Sequence, residues 1–460
     1  MIKRNQLVNL VFAAFIVLFH KPLIAQEAME FNLEQAITYA QDNHPDIKLK
    51  KLQIEDAQQR VKETAAIGLP QVNGGLEYQY FIEKPRQIAP DFLTPAVYGI
   101  LFQEQLVQPF PLDIGTQEFT FVQSHNLTPS INLSSLIFDG SYIVGLRAAK
   151  AYGSLVQQDL SIALSTVRKS VIDGYLPILI LDENLKNLDL NIVNLEVLLK
   201  ETEAIYNEGF AELLDVERLK LSLSNLKSEK DNLERQRVVA LNALKMQMGF
   251  PMEKELEIAD SINEVLERSK GDELLVSTAT IESRPEIGYL NTTLDLNELN
   301  VQLNKAAYLP SVSAYVSYQN TYLGDDFSNG TWLPTSVFGA NISIPIFAGF
   351  GRKAKVARAK IDLEEVKIQR ERALDGFKLE LSNAKTNYIN AKKRLESRKE
   401  NLDLAQRIFE TTKIKYREGV GSSIEVSTAE QSVYQSQQYY YQAVFELLQA
   451  ESNLAKALGQ

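Results

Sequence analysis

The residues able to do chemistry are few and poorly grouped for it. The 460-residue chain has three histidines and no cysteine. His20 falls in an apolar leader, and His44 and His125 share no metal-ligand spacing. Gly349-Phe350-Gly351 lacks the lysine and the serine or threonine that would make its glycines a phosphate cradle. Carboxylates are plentiful, but on segments with a helical repeat they are expected to form solvated faces. No catalytic residue, cofactor or metal is expected, so the chain reads as a non-enzyme. Two acids stand apart: Asp215 and Glu425 follow Gly209-Phe210 and Gly419-Val420 at the same spacing. Acids in the first turn of a helix favour its N-terminus.

The formal net charge of −11 disfavours a nucleic-acid partner, which needs a basic face. Lys3 and Arg4 precede the apolar run Leu7–Phe19 and then Leu23-Ile24-Ala25, the layout of a secretory signal peptide over residues 1–25. Without cysteine the exported chain is expected to have no disulfide, thiol chemistry or acylated-cysteine anchor. No later apolar run is long enough for a transmembrane helix, so any crossing of a bilayer has to use strands.

An internal duplication organises the mature chain. An offset of 240 residues relates Pro45 to Pro285, Pro70 to Pro310 and Tyr78 to Tyr318. Further on, "NLSSLIFDG" (132–140) matches "NISIPIFAG" (341–349) at offset 209, while "YNEG" (206–209) matches "YREG" (416–419) and Gly249 matches Gly459 at offset 210. The first copy, residues 26–250, therefore carries about 30 extra residues between Tyr80 and Phe119. A linker over 251–280 precedes the second copy, 281–460.

Each copy reads helix, strand, strand, long helix, turn, long helix. Strands are expected at 72–81, 119–134, 311–322 and 337–346, where apolar and polar residues alternate. Tyr78, Tyr80, Phe81, Tyr318, Tyr322, Trp332 and Phe338 suit an aromatic girdle. In the last helix Val426, Val433, Tyr440, Leu447 and Leu454 recur every seven residues, with Ala429, Ser436, Ala443, Ala450 and Ala457 between them. Leu395, Leu402, Phe409 and Tyr416 repeat the spacing in the preceding helix. An unbroken helix from Gly349 to Tyr416 would reach roughly 100 Å. In the first copy Pro177 predicts a kink or break. Four strands cannot close a barrel, so several chains are expected to contribute: two would give eight strands, three would give twelve. An exported scaffold or adhesin with coiled-coil arms is the alternative.

The duplicated pattern, the junction "PIFAGFGR", the "LP" pair before the first strand of each copy and "Y-x-E-G" before an acidic residue at each turn resemble the TolC-type outer membrane efflux proteins over essentially the whole mature chain. The resemblance implies a mainly α fold with membrane β: a homotrimer whose twelve-stranded barrel in outer-membrane lipid continues into an α-helical barrel in the periplasm. It implies an efflux channel working with a periplasmic adaptor protein and an inner membrane transporter. It assigns Asp215 and Glu425, with Tyr206 and Tyr416, to a periplasmic gate and selectivity filter. Gly209, Phe210, Gly419 and Val420 become adaptor-contacting tips, and Phe138, Gly140, Pro345, Phe347, Gly349 and Gly351 become strand-to-helix junctions. Gly421 stands where some members carry a gating arginine, and Thr428 where some carry a second aspartate. The lock is expected to be weaker or wired differently here.

Overall fold

The structure, a computed structural model, describes residues 29–109, 111 and 115–460. The expected signal peptide, residues 1–25, lies outside them. The first repeat contains β1 (Met29–Phe31), α1 (Leu33–Asn43), α2 (Pro45–Ala66), β2 (Gln71–Tyr80), β3 (Gln87–Pro90), α3 (Leu93–Gln103), β4 (Thr116–Phe119), β5 (His125–Asp139), α4 (Gly140–Asn207) and α5 (Leu213–Met248). Next come β6 (Leu256–Ile258), α6 (Ile262–Glu267), α7 (Gly271–Val276), a 3-10 turn (Ile281–Ser283), α8 (Pro285–Ala306), β7 (Ser311–Gly324), β8 (Thr331–Ser343), α9 (Gly351–Arg417) and α10 (Ser423–Ala457). Two compact units form, and each draws on both repeats. Among the described residues a helical unit gathers 29–57 with 153–294 and 365–460, and a sheet unit draws on 58–152 with 295–364.

In the sheet unit the order is β2-β5-β7-β8, antiparallel throughout. Register places Val72, Leu133, Val316 and Phe338 side by side, and likewise Tyr78, Leu127, Tyr322 and Trp332. Paired residues share a face, so one side of the sheet is mainly apolar. The other side is more polar: Ser317 Oγ donates to Asn132 Oδ1 at 2.5 Å, and the Thr128 and Thr321 hydroxyls lie 3.1 Å apart, with Val337 and Leu333 opposite Ser317 and Thr321. Both outer strands lack a further partner among the described residues, and all ten residues of β2 are exposed.

The strands at 72–81 and 311–322 form with ends shifted by one or two residues. The other two expectations need correction. The segment 119–134 divides into β4, which ends at Phe119 and pairs with β3, and β5, which starts at His125. Alternation runs through both pieces, but Asp325 accepts from Ser124 N at 3.0 Å and fixes a turn between them. The segment 337–346 is instead β8, Thr331–Ser343. It begins earlier because Pro334 is tolerated on an outer strand, and it stops before Pro345, leaving Ile344 and Ile346 outside the ladder. The aromatic residues collect at one end of the sheet, where His125 lies 4.5 Å from Phe327 and 4.9 Å from Tyr80, ring to ring, and Tyr322 lies 5.3 Å from Trp332. Tyr318 and Phe338 sit further in, opposite Ser336 and Val316.

In the helical unit most of the expected heptad positions of α10 are buried, namely Val426, Ala429, Val433, Ala443, Leu447, Ala450, Leu454 and Ala457. Ser436 and Tyr440 are half-buried, whereas Ser423, Gln437, Tyr441, Val444 and Leu448, off the repeat, are buried as well. The largest core joins Ile37 and Ala40 of α1, Tyr175 and Ile178 of α4, Leu244 and Met248 of α5, and Val444 of α10. Burial of each large aliphatic side chain contributes about 1.5–3 kcal/mol. β1 pairs in parallel with β6, tying the start of the described chain to the linker. Pro177 does not break α4, which runs as one helix of 68 residues. A mid-helix proline costs about 3 kcal/mol, and here Tyr175, Leu176, Ile178 and Leu179, each at most 2% exposed, offset it.

Candidate functional site

Four places carry the expected functional residues: the two helix-hairpin tips in the helical unit and the two strand-to-helix junctions in the sheet unit. The tips are built alike. Gly209 N donates to Tyr206 O at 2.9 Å and Phe210 N to Ile205 O at 3.0 Å; Gly419 N and Val420 N donate to Tyr416 O and Lys415 O, both at 3.0 Å. This is the Schellman termination, which needs a left-handed residue after the helix, and Gly209 and Gly419 have φ of 81° and 75°. The glycines are thus explained by the turn. The apolar residues after them are not, since Phe210 is 85% and Val420 77% exposed. Gly249 makes the same turn at the end of α5, yet the following Phe250 is buried against Phe31 and Tyr39.

Asp215 and Glu425 both fall in the first turn of the returning helix. Asp215 Oδ2 accepts from Glu212 N at 3.3 Å, and Glu425 closes a long capping box with Ser422 at 3.4 Å in both directions. Asp215 does one thing more: its other oxygen accepts from Ser423 Oγ, which joins the tip of one hairpin to that of the other. Tyr416 Oη lies 3.2 Å from Thr202 Oγ1, and Arg417 donates to both carboxylate oxygens of Glu201 at 2.9 and 3.0 Å. The geometry therefore brings Asp215 and Tyr416 into one set of cross-hairpin ties. Tyr206 and Glu425 make no tie to the other hairpin among the described residues. Thr202, Glu201, Arg417 and Ser423 were not marked by the sequence, because a helix-surface residue shows its partner only when two hairpins are laid together. At Gly421 a Cβ would meet Tyr416 N at 3.1 Å, and the Thr428 hydroxyl is spent on Ile424 O at 2.7 Å.

Beyond the tips, a polar cavity of about 420 Å³ opens between α4, α5 and α10, lined by Asn191, Ser222, Glu229, Ser427, Glu430 and Tyr434 among others. Burial pushes the Glu430 carboxyl up to about 7.

The junctions differ. β5 passes into α4 with no intervening residue; Asp139 Oδ1 caps the helix by accepting from Tyr142 N at 2.9 Å, and β5 shifts register near Phe138. A Cβ at Gly140 would stand 2.6 Å from Leu309 Cδ1 and 3.3 Å from Ala306 O, so glycine permits this close approach. In the second copy residues 344–350 intervene. Gly349 and Phe350 both adopt left-handed backbone, φ 56° and 64°, and Gly351 N donates to Ala348 O at 3.0 Å to start α9. Phe347 and Phe350 meet edge to face at 5.6 Å, both largely exposed. Pro345 lies in the connecting segment.

A duplicated helical unit joined to a four-stranded antiparallel sheet is the fold of solved outer membrane channels. CusC matches with a TM-score of 0.72 at 18% identity, covering 94% of this chain and 93% of that one. VceC from Vibrio cholerae matches with 0.69 at 16%, covering 93% and 96%. The chain belongs to the outer membrane efflux protein family, whose sequence profile matches residues 36–249 and 276–460. The pyoverdine export outer membrane protein OpmQ of Pseudomonas aeruginosa is 27% identical over 297 residues, 64% of this chain and 61% of that protein. The probable outer membrane lipoprotein SilC of Salmonella typhimurium is 24% identical over 55% of this chain and 54% of its own length. The chain thus spans less than two thirds of these two relatives. Against OpmQ of Pseudomonas putida, 24% identical, the match extends to 93% and 85%.

Proposed function

We propose that this protein is an outer membrane channel-tunnel through which an inner membrane transporter, joined by a periplasmic adaptor, exports its substrates. The observation that carries the proposal is the sheet: four strands, one mainly apolar face, and two outer strands with unmet backbone donors and acceptors. In lipid such edges have to be paired, and pairing β8 of one copy with β2 of the next does so. No helix among the described residues is long and apolar enough to cross a membrane, which leaves the strands as the spanning elements. Three copies would close twelve strands, the number that the family resemblance supports.

The cross-hairpin ties serve as the gate in this reading, with Asp215 and Glu425 lining its opening and Phe210 and Val420 meeting the adaptor. The cysteine-free chain suits a direct test: single cysteines introduced along β2 and β8 should cross-link into a ladder that stops at three, in material that only detergent extracts. A ladder without an upper limit, or release from membranes by urea alone, would overturn the proposal.

A further inference from the structure

The helical unit holds a second kind of site, away from the tips. A pocket of about 290 Å³ opens where α1, α4, the α6–α7 connection and α10 converge. Its floor belongs to the core: Leu176, Val265, Leu274 and Leu448 are each no more than 9% exposed, and Ile172 completes it. Its rim is cationic, with Arg168, Lys169, Arg268, Lys270 and Lys456 against the side-chain carboxylates of Glu34 and Glu451.

Structural duties account for part of this rim. Arg268 pairs with buried Asp260 at 3.0 Å, Lys169 with Asp173 at 2.5 Å, and Arg168 stands 3.9 Å from Glu34. Glu451 is engaged by the α6–α7 connection, accepting from Ser269 Oγ at 2.5 Å and from Lys270 N at 2.7 Å. The Lys270 and Lys456 ammonium groups form no close ion pair among the described residues, although, against the effect of burial, the Lys456 charge helps to hold the Glu286 carboxyl below its usual range. Two cations without a close carboxylate partner therefore line the pocket together with its apolar floor.

We propose that this pocket binds a small carboxylate with a short aliphatic tail, the tail on the leucine floor and the carboxylate between Lys270 and Lys456. At about 290 Å³ the pocket lies at the small end of ligand sites, and octanoate serves as the probe. An apolar body with one or two placed charges is the ordinary composition of a small-molecule site.

The test is calorimetric titration of the protein in zwitterionic lipid nanodiscs, with empty nanodiscs as the blank. Octanoate should bind saturably, about one per chain, and about tenfold more tightly than octylamine or butyrate. The double substitution Lys270→Ala/Lys456→Ala should weaken octanoate about tenfold. Ser452→Trp, which fills the pocket from α10, should abolish binding. Absence of saturable heat, equal affinity for octylamine, or affinity unchanged in both variants would overturn the proposal. Equal binding of butyrate and octanoate would do so too, because it would reduce the site to a surface anion patch.

Discussion

Arg417, the last residue of α9, grips Glu201 of α4 through two parallel hydrogen bonds of 2.9 and 3.0 Å. With Tyr416 on Thr202 and Ser423 on Asp215, it places three ties between the two hairpins next to their turns. The Arg417 and Glu201 side chains are each more than 40% exposed, so their contribution to global stability is about 0–1 kcal/mol. Their position gives them more weight than their energy does. Arg417→Ala is expected to change the melting temperature little while raising the open probability in planar bilayers. An unaltered open probability in both Arg417→Ala and Tyr416→Phe would remove the ties from the gate.

The acids separate by their contacts. Converting Asp215 to Asn and Glu425 to Gln together keeps their shapes but removes two charges per chain, and cation preference in bilayers should fall. First-turn acids contribute about 0.3–1 kcal/mol each, so a small loss of stability is expected as well. Loss of stability with unchanged ion selectivity would mean that both acids serve only their helices.

Phe210 and Phe250 follow the same glycine turn and meet opposite fates. Phe250→Ala should cost about 3–5 kcal/mol in denaturant unfolding, because it empties a packed core position. Phe210→Ala should leave stability within about 0.5 kcal/mol and weaken adaptor binding measured by surface capture. Full adaptor affinity in the double variant Phe210→Ala/Val420→Ala would remove the tips from the docking surface.

Glu430 predicts a pH dependence. Its carboxyl, ordinarily near 4.5, is pushed up to about 7 by burial. The folded protein thus binds a proton more readily than the unfolded chain between these values, and stability falls as pH rises from about 4.5 to about 7. Above that range the penalty is complete, at most about 3 kcal/mol. Glu430→Gln should flatten the fall and melt higher than the parent at pH 8. Parallel pH profiles for the two proteins would show that the cavity solvates the charge.

The duplication, the heptad faces of α10 and the glycine turns were legible in the sequence because each is a local pattern. Seven-residue spacing predicts most of the buried face of α10, though Ser436 and Tyr440 are half-buried, and a glycine at a helix end predicts a left-handed turn. The failures came where two local patterns compete. Alternation across 119–134 spans a turn, which is fixed at Ser124 by Phe81 N and by Asp325, some 200 residues away. Pro177 predicts a kink or break on its own, but α4 continues past it as one helix, with Tyr175 and Ile178 buried beside it.

By itself the sequence determined the repeat, the alternation of one face of each strand, and the absence of any apolar run after residue 25 long enough for a helix to cross a bilayer. Tertiary structure alone decided that β5 and β7 meet at the middle of the sheet and leave β2 and β8 open. It also decided that Arg417 meets Glu201, and that Lys270 and Lys456 line one pocket. Periodicity reports which side of an element faces inward, while the partner across a gap depends on how distant elements are laid together.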